Sequence, residues 1–509
     1  MRRSIADPVV ALDPGSGPLY QQIYDGYRAA ILDGRLRAGN RIPSTRALAE
    51  KLGISRLPVL NAFEQLSHEG YLEGRVGSGT YVAASVLEKE RAAPRRAKHR
   101  AQASTGRTKQ HEHRANARSV RVVEAMAVQA DCRPFRLSLP GLDHFPHATW
   151  SRLVCRHARR MPVELMAYGE PAGYLPLREA IADHLRVTRA VSCDASQILI
   201  VSGSQMALQL CARVLLGSGD VFYFEEPGYF GARQALAATG ARPQTVPVDD
   251  EGLMIGSMAV GKQAARLAYV TPSHQYPLGV AMNAQRRLGL LEWARRHASW
   301  IVEDDYDSYY RFASRPLRAL QGMDETSRVI YVGTFSKVLF PALRIGYVVA
   351  PPVLLDAFCE QRGALDLFPA SLYQLALADF LHEGHLARHV RRMRAVYQKR
   401  RDVLVEAIRR QLEGILTIVN ADAGMHLTAW LPADVDDRQV ARRAAVRGIN
   451  VTALSSCYFG KVSKSGLVLG FGGVPEEAIV PAVATLALAI EDAGLGARCN
   501  GRNKVTRRR

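Results

Sequence analysis

Apolar positions recur at helical spacing from Leu19 to Leu32, with Ile23, Tyr27 and Ile31 on one side, and the run stops at Gly34. Ser44 is placed to cap a helix running through Leu52, with Leu48 on its buried side, and Gly53 makes the turn. Ser55 is placed to cap the next helix, with Pro58 in its first turn and Val59, Phe63 and Leu66 facing inward. Gly70-Tyr71-Leu72 then leads into a hairpin, Arg75 to Val82, whose glycines permit a tight turn. Helix, turn, helix and hairpin over residues 18–83 predict a small α+β winged helix-turn-helix, with the second helix in a DNA major groove and the wing at the backbone. Arg41, Arg46 and Arg56 lie near the helix starts, where backbone N–H groups and guanidinium hold phosphate together. The competing reading of this block is a small helical dimerisation module.

From Pro134 to about Ile490 the pattern changes. Short apolar runs such as Ile198–Val201, Val221–Phe224, Leu267–Val270, Trp300–Val302 and Val329–Val332 alternate with amphipathic stretches. Short runs separated by helices predict parallel strands buried on both faces, hence one α/β domain over 134–490. Residues 1–17 carry Pro8, Pro14, Gly15 and Gly17 and read as a loose N-terminus. Residues 84–133, rich in Arg, Ala, Gln and His, read as a basic linker, and 491–509 as a basic tail. No internal repeat is visible, and no apolar run reaches the length of a membrane helix.

Charge changes the picture only in part. The chain of 509 residues has a formal net charge of +19, of which residues 88–121 supply +8 and residues 498–509 supply +6. The excess therefore sits in polar segments that bury no core, so they are solvated connectors or attract phosphate backbone without sequence preference. Seven widely spaced cysteines without a C-x-x-C pair fit a reducing cytoplasm and exclude a disulfide scaffold or a cysteine-based metal site. No secretory leader is visible at Met1–Pro8, and no metal site is expected.

The large domain carries the residue types that pyridoxal 5'-phosphate requires. These are a lysine amine for a Schiff base, a carboxylate for the pyridine nitrogen, donors for the phosphate and a face to stack on. Lys337 stands in Gly333-Thr334-Phe335-Ser336-Lys337, just after an apolar run, with Arg344 seven residues on. Asp304 follows the run Trp300–Val302, at the kind of strand end where open α/β sheets bind ligands. Gly203-Ser204-Gln205 opens a helix after Ile198–Val201, and its N–H groups suit an anion. Pro227-Gly228-Tyr229 follows another strand and offers an aromatic face. Each signal alone has a plainer explanation, such as a surface lysine, a helix cap, a turn or a packing tyrosine. Order and spacing together make the case.

At these residues two family resemblances become specific. Pro18-Leu19-Tyr20, Gly39 to Arg46, Leu52-Gly53-Ile54-Ser55-Arg56 and Gly77-Ser78-Gly79-Thr80 resemble the GntR family of bacterial regulators. That resemblance implies a double-stranded DNA operator contacted by Arg41, Ser44, Thr45, Arg46, Ser55, Arg56, Gly77 and Ser78. Pro58 stands where the family usually has Thr. The order of motifs over 134–490, with Tyr168 to Arg178 as the substrate-side opening segment, resembles fold-type I aminotransferases. The resemblance implies Lys337 in the Schiff base, Asp304 rather than Asp305 on the pyridine nitrogen and Tyr306 on the ring hydroxyl. It also implies Tyr229 stacked on the ring, and Ser204, Gln205, Ser336 and Arg344 on the phosphate. There are two departures: Tyr276 stands where an asparagine is common before Pro-x-Gly, and Val468 where an arginine binds the substrate carboxylate.

A GntR-like head joined to an aminotransferase-like body is the arrangement of the MocR subfamily of transcriptional regulators. The resemblance implies a head-to-tail homodimer whose body senses the cofactor, an amino acid or another amine, and does not turn it over. The alternatives are an active aminotransferase with an appended DNA-binding head, or a regulator with a cofactor-free body.

Overall fold

The computed structural model describes residues 12–13, 17–75, 79–83, 132–258, 264–312 and 317–495. Gly77, Ser78, most of the N-terminus, nearly all of the 84–133 connector and most of the tail lie outside the described residues.

The head has three helices and a ribbon. Helix α1 spans Leu19–Leu32, α2 Thr45–Leu52 and α3 Arg56–His68, followed by antiparallel β1 (Leu72–Arg75) and β2 (Gly79–Val82). Its core joins Ile23, Tyr27 and Ile31 of α1 to Leu48, Val59, Phe63 and Leu66. Ser44 caps α2 by accepting from the Ala47 N–H at 3.2 Å, and Gly53 closes the helix in the left-handed region at φ 65°. Ser55 occupies the N-cap position of α3 in extended backbone, yet its side chain makes no cap hydrogen bond, contrary to the sequence expectation. Pro58, in the first turn, has no N–H to offer it.

The body's strands are β3 (Ile198–Val201), β4 (Val221–Glu226), β5 (Arg242–Asp249), β6 (Gly252–Leu253), β7 (Leu267–Val270), β8 (Trp300–Asp305), β9 (Val329–Thr334) and β10 (Gly346–Val349). They form one sheet in the order β3-β10-β9-β8-β7-β4-β5-β6. Helices α4 (His147–Arg159), α5 (Val163–Met166), α6 (Leu175–Arg189), α7 (Ser204–Leu215), α8 (Phe230–Ala237) and α9 (Ala284–His297) come before the last strands. Helices α10 (Leu355–Asp366), α11 (Ser371–His382) and α12 (His385–Gln411) follow β10. The run β5-β4-β7-β8-β9 is parallel as expected, but β10 is antiparallel to both β9 and β3. The segment between β9 and β10, residues 335–345, is shorter than the dozen or more residues a parallel crossover needs. Burial on both faces gives β10 the same apolar appearance as its neighbours, so its direction is not written in its pattern.

A second, antiparallel sheet was not expected. Strands β11 (Thr417–Asn420), β12 (His426–Trp430), β13 (Thr452–Ala453) and β14 (Gly466–Gly470) take the order β11-β12-β14-β13. With α13 (Asp437–Val446) and α14 (Glu476–Ile490) this sheet packs on the long helix α12. No helix among the described residues is long and apolar enough to cross a membrane.

The opening segment is locked to the large sheet by a glycine. Gly173 has φ +92°, and a Cβ there would lie 2.7 Å from Ile200 Cβ and 2.8 Å from the Gln374 side-chain oxygen. Gly173→Ala combines a left-handed backbone with overpacking and is expected to cost about 2–4 kcal/mol, read as a lower midpoint in chemical denaturation.

Candidate functional site

Lys337 lies on the short loop between β9 and β10, so its position is set by two strands of the same sheet. Its Nζ donates to the Ser138 carbonyl at 3.2 Å. Ser138 holds a left-handed φ of 67°, unusual for a residue with a Cβ and costly unless its surroundings fix it. Burial pushes the Lys337 amine down to about 8. Asp307 and Asp304 oppose that push by favouring the ammonium, while Arg136 and Arg344 add to it.

Asp304 and Asp305 end β8 and point to opposite faces, as neighbours on a strand must. Asp305 is consumed: it pairs with buried Arg189 at 2.7 Å and accepts from the Tyr331 hydroxyl. Asp304 accepts from the Tyr269 hydroxyl at 2.8 Å through one oxygen, while its other oxygen, Oδ1, is buried without a hydrogen-bond partner. Desolvation raises its carboxyl to about 7. Buried polar atoms are normally paired, so the bare oxygen calls for a donor at that point. A protonated ring nitrogen is such a donor, and the donor set here fits pyridoxal phosphate.

The start of α7, with Arg344 beside it, suits an anion. Gly203, at φ 88°, is the N-cap of α7, and Ser204 and Gln205 form its first turn. Arg344 reaches across from the loop before β10 and donates to the Ser202 carbonyl. The positive φ of Gly203 favours glycine on conformational grounds, and a Cβ there would lie 3.0 Å from the Arg344 guanidinium, which would have to shift to admit it. Ser336 is buried, with its N–H on the Thr334 hydroxyl at 3.2 Å. The Gln205 amide donates to the Tyr229 hydroxyl at 2.9 Å, so it also positions that ring. Tyr229 meets Tyr276 edge-on, with centroids 5.6 Å apart. Residues far apart in sequence, from Ser204 and Tyr229 to Asp304, Lys337 and Arg344, thus converge on one site.

Several chamber residues had no role assigned from sequence. Tyr306 lies 3.1 Å from His274 Nδ1, and that nitrogen lies 3.0 Å from each Asp307 oxygen. His426 stands beside His274, with ring centroids 5.0 Å apart, and burial lowers its titration to about 4. Donor atoms of His274, Asp307 and His426 lie within 4.8 Å of one another, but His274 and Asp307 already satisfy each other as a hydrogen-bonded pair. The runs Ser273-His274-Gln275 and Tyr306-Asp307 were readable signals, but nothing in their spacing says that two distant loops meet. Val468 is fully buried in an apolar cluster with Leu278, Val280 and Leu454.

On the head, Arg41, Ser44, Arg46, Ser55 and Arg56 are exposed and Thr45 is half-buried. Arg56 donates to the Thr45 hydroxyl at 3.0 Å, which ties the start of α3 to that of α2. Arg41 bridges to Tyr81 of the wing strand.

The family model "Bacterial regulatory proteins, gntR family" matches residues 19–82, and "Aminotransferase class I and II" matches residues 148–478. The chain is 41% identical over 480 residues to the "Probable rhizopine catabolism regulatory protein MocR" of Rhizobium meliloti, covering 94% of this chain and 95% of that one. It is 31% identical to the "HTH-type pyridoxine biosynthesis transcriptional regulator PdxR" of Corynebacterium glutamicum, covering 93% and 97%. The body is similar to the kynurenine aminotransferase of Pyrococcus horikoshii, with TM-score 0.67, 29% identity, and coverage of 75% of this chain and 95% of that one.

Asp304 also sets a pH dependence. A carboxyl that titrates near 7 when folded, against an ordinary 3.8, keeps a proton that the unfolded chain has released. Stability of the empty protein therefore falls as pH rises from about 4 to 7. Asp304→Asn removes this effect, and is expected to stabilise the empty protein by about 1–3 kcal/mol at pH 8 and by less at pH 5, measured by thermal denaturation at both.

Proposed function

Because the chain belongs to the MocR-type regulators, in which a gntR-family head precedes an aminotransferase class I and II body, we propose that its head (18–83) binds a double-stranded DNA operator while its body (134–490) holds pyridoxal 5'-phosphate and senses rather than turns over. The observation that carries this is the buried, unpartnered oxygen of Asp304 in the same chamber as Lys337. When bound, the cofactor supplies an aldehyde that reacts with amines and a protonated ring that withdraws electrons. Lys337, with its amine held near 8, is a nucleophile at neutral pH. Asp304 pairs with the ring nitrogen, Tyr306 hydrogen-bonds the ring hydroxyl, and Tyr229 covers one face. Ser204, Gln205, Ser336 and Arg344 hold the phosphate.

The sensor reading, as against sustained catalysis, draws on Val468. An apolar residue packed into its own cluster gives no bidentate anchor to an amino-acid carboxylate, which weakens productive orientation. The effector in this reading is an amino compound or the cofactor itself, because an aldehyde cofactor reacts with amines; the names of two relatives speak of rhizopine catabolism and pyridoxine biosynthesis. The working unit in this reading is a head-to-tail homodimer, with 84–133 as the connector and 491–509 as a tail.

The purified protein is expected to absorb near about 420 nm with added pyridoxal phosphate, and Lys337→Ala to lack the band. A colourless protein that takes up no cofactor sinks the sensor reading, and sustained turnover of two substrates would replace it with an aminotransferase. On the head, Arg46→Ala and Arg56→Ala are expected to weaken DNA binding across sequences and lower the salt slope by about 1 each, measured by fluorescence anisotropy at several salt concentrations.

A further inference from the structure

The head rests on the start of α9. Glu69 is the C-cap of α3, and its carbonyl accepts from the N–H of Ala284, the first residue of α9, at 2.6 Å. Ala284 is buried within the head's own apolar core, and Leu288, one turn on, packs against it. Arg318 of the body donates to Asp25 of α1 at 2.8 Å, with its guanidinium 5.9 Å from the Tyr24 ring centre. Tyr24 donates in turn to the Glu69 carboxylate at 2.5 Å. The first helix of the head, the end of its α3 and the body are therefore tied at one point.

The same body residues are gripped from the other side by the segment that lines the chamber. Buried Arg287 donates to the carbonyls of Met282 at 2.8 Å, Arg318 at 2.7 Å and Pro272 at 2.9 Å. Ser273 accepts from Arg189 at 2.6 Å, and Arg189 pairs with Asp305, the neighbour of Asp304. His274 follows at once and meets Asp307 and Tyr306 in the chamber. Two residues further on, Tyr276 meets Tyr229. A buried guanidinium cannot cheaply lose a carbonyl acceptor. If Pro272 moves, Arg287 must follow it or find another partner, and Arg287 shares α9 with Ala284 and holds the backbone of Arg318.

We propose that the first turn of α9 together with Arg318 is a docking surface for the head whose grip depends on the state of the chamber, transmitted through Pro272 and Arg287. This rests on the reading of the body as a pyridoxal-phosphate site. A ligand that draws His274 and Tyr276 toward itself moves Pro272 and changes how firmly Glu69 and Asp25 are held. The ligand acts only to the extent that it binds the two docking states unequally.

Hydrogen exchange on the full chain, with and without pyridoxal phosphate, tests this, after the visible spectrum has established whether the cofactor is bound. In the wild type, loading is expected to change exchange over residues 19–32 and 56–70 by at least about threefold. Arg318→Ala is expected to keep the absorption band, raise exchange in those segments by about tenfold and make it insensitive to loading. Asp25→Ala, at a half-exposed position, is expected to do the same should Arg318→Ala fold poorly, and the exchanged pair Asp25→Arg with Arg318→Asp to restore the response. A wild type that shows the band but no change in head exchange overturns the coupling alone, as does an Arg318→Ala protein that keeps the full response. A wild type that never shows the band overturns the cofactor reading, and the coupling with it.

Discussion

The structure depends on the burial of one carboxylate, Asp304, at the end of a central strand. Removing a carboxylate from water is unfavourable unless charge or donors surround it, and here one oxygen has the Tyr269 hydroxyl and the other has nothing. The protein answers by raising the carboxyl's titration toward neutrality. A positively polarised ring nitrogen at the bare oxygen would return that cost. The buried Asp304 oxygen is thus an unfavourable interaction that a ligand with a donor at that point would relieve, which favours one chemical class of occupant over a merely apolar one.

The neighbouring charges fit the same scheme. Asp305 sits one residue away on the opposite face of the strand, where Arg189 balances its charge and the Tyr331 hydroxyl donates to it. Glu303, on the face of the strand shared with Asp305, takes the N–H groups of Leu320 and Gln321. Three consecutive acidic residues on β8 are given three different environments, and only the middle one is left with capacity toward the chamber. Lys337 feels both Asp304 and Asp307, so its amine is held between the pull of burial and the pull of two carboxylates.

Much of this was legible along the chain. The head's helices follow from the spacing of Ile23, Tyr27, Leu48, Val59 and Phe63, and the strand that ends in Asp304 and the one that leads into the Lys337 loop follow from short apolar runs. Strand direction was not legible, because β10 is apolar on both faces and only the short loop before it reveals that it runs back. The small second sheet was missed because Thr417–Asn420 is only partly buried and begins and ends on polar residues, so it forms no apolar run, and Thr452–Ala453 is only two residues long. Among the residues that the structure gathers around Lys337, those adjacent in sequence to a strand end were singled out from the sequence. His274, His426 and Tyr269 were not, because their significance comes from loops and strands that meet only in three dimensions. The departure at Val468 was visible as a letter, but its meaning comes from the apolar cluster it completes.

The place of Ala284 inside the head's core has a consequence for how such a protein is assembled. Cut along the chain, the head ends near residue 83; drawn through the packing, it also includes one residue and part of a helix from two hundred positions later. The two boundaries do not coincide. A head transplanted onto another body would arrive with a gap in its interior, and a body given a new head would present a helix start shaped for the old one. The two parts look separable on paper, but they are fitted to each other as a matched pair.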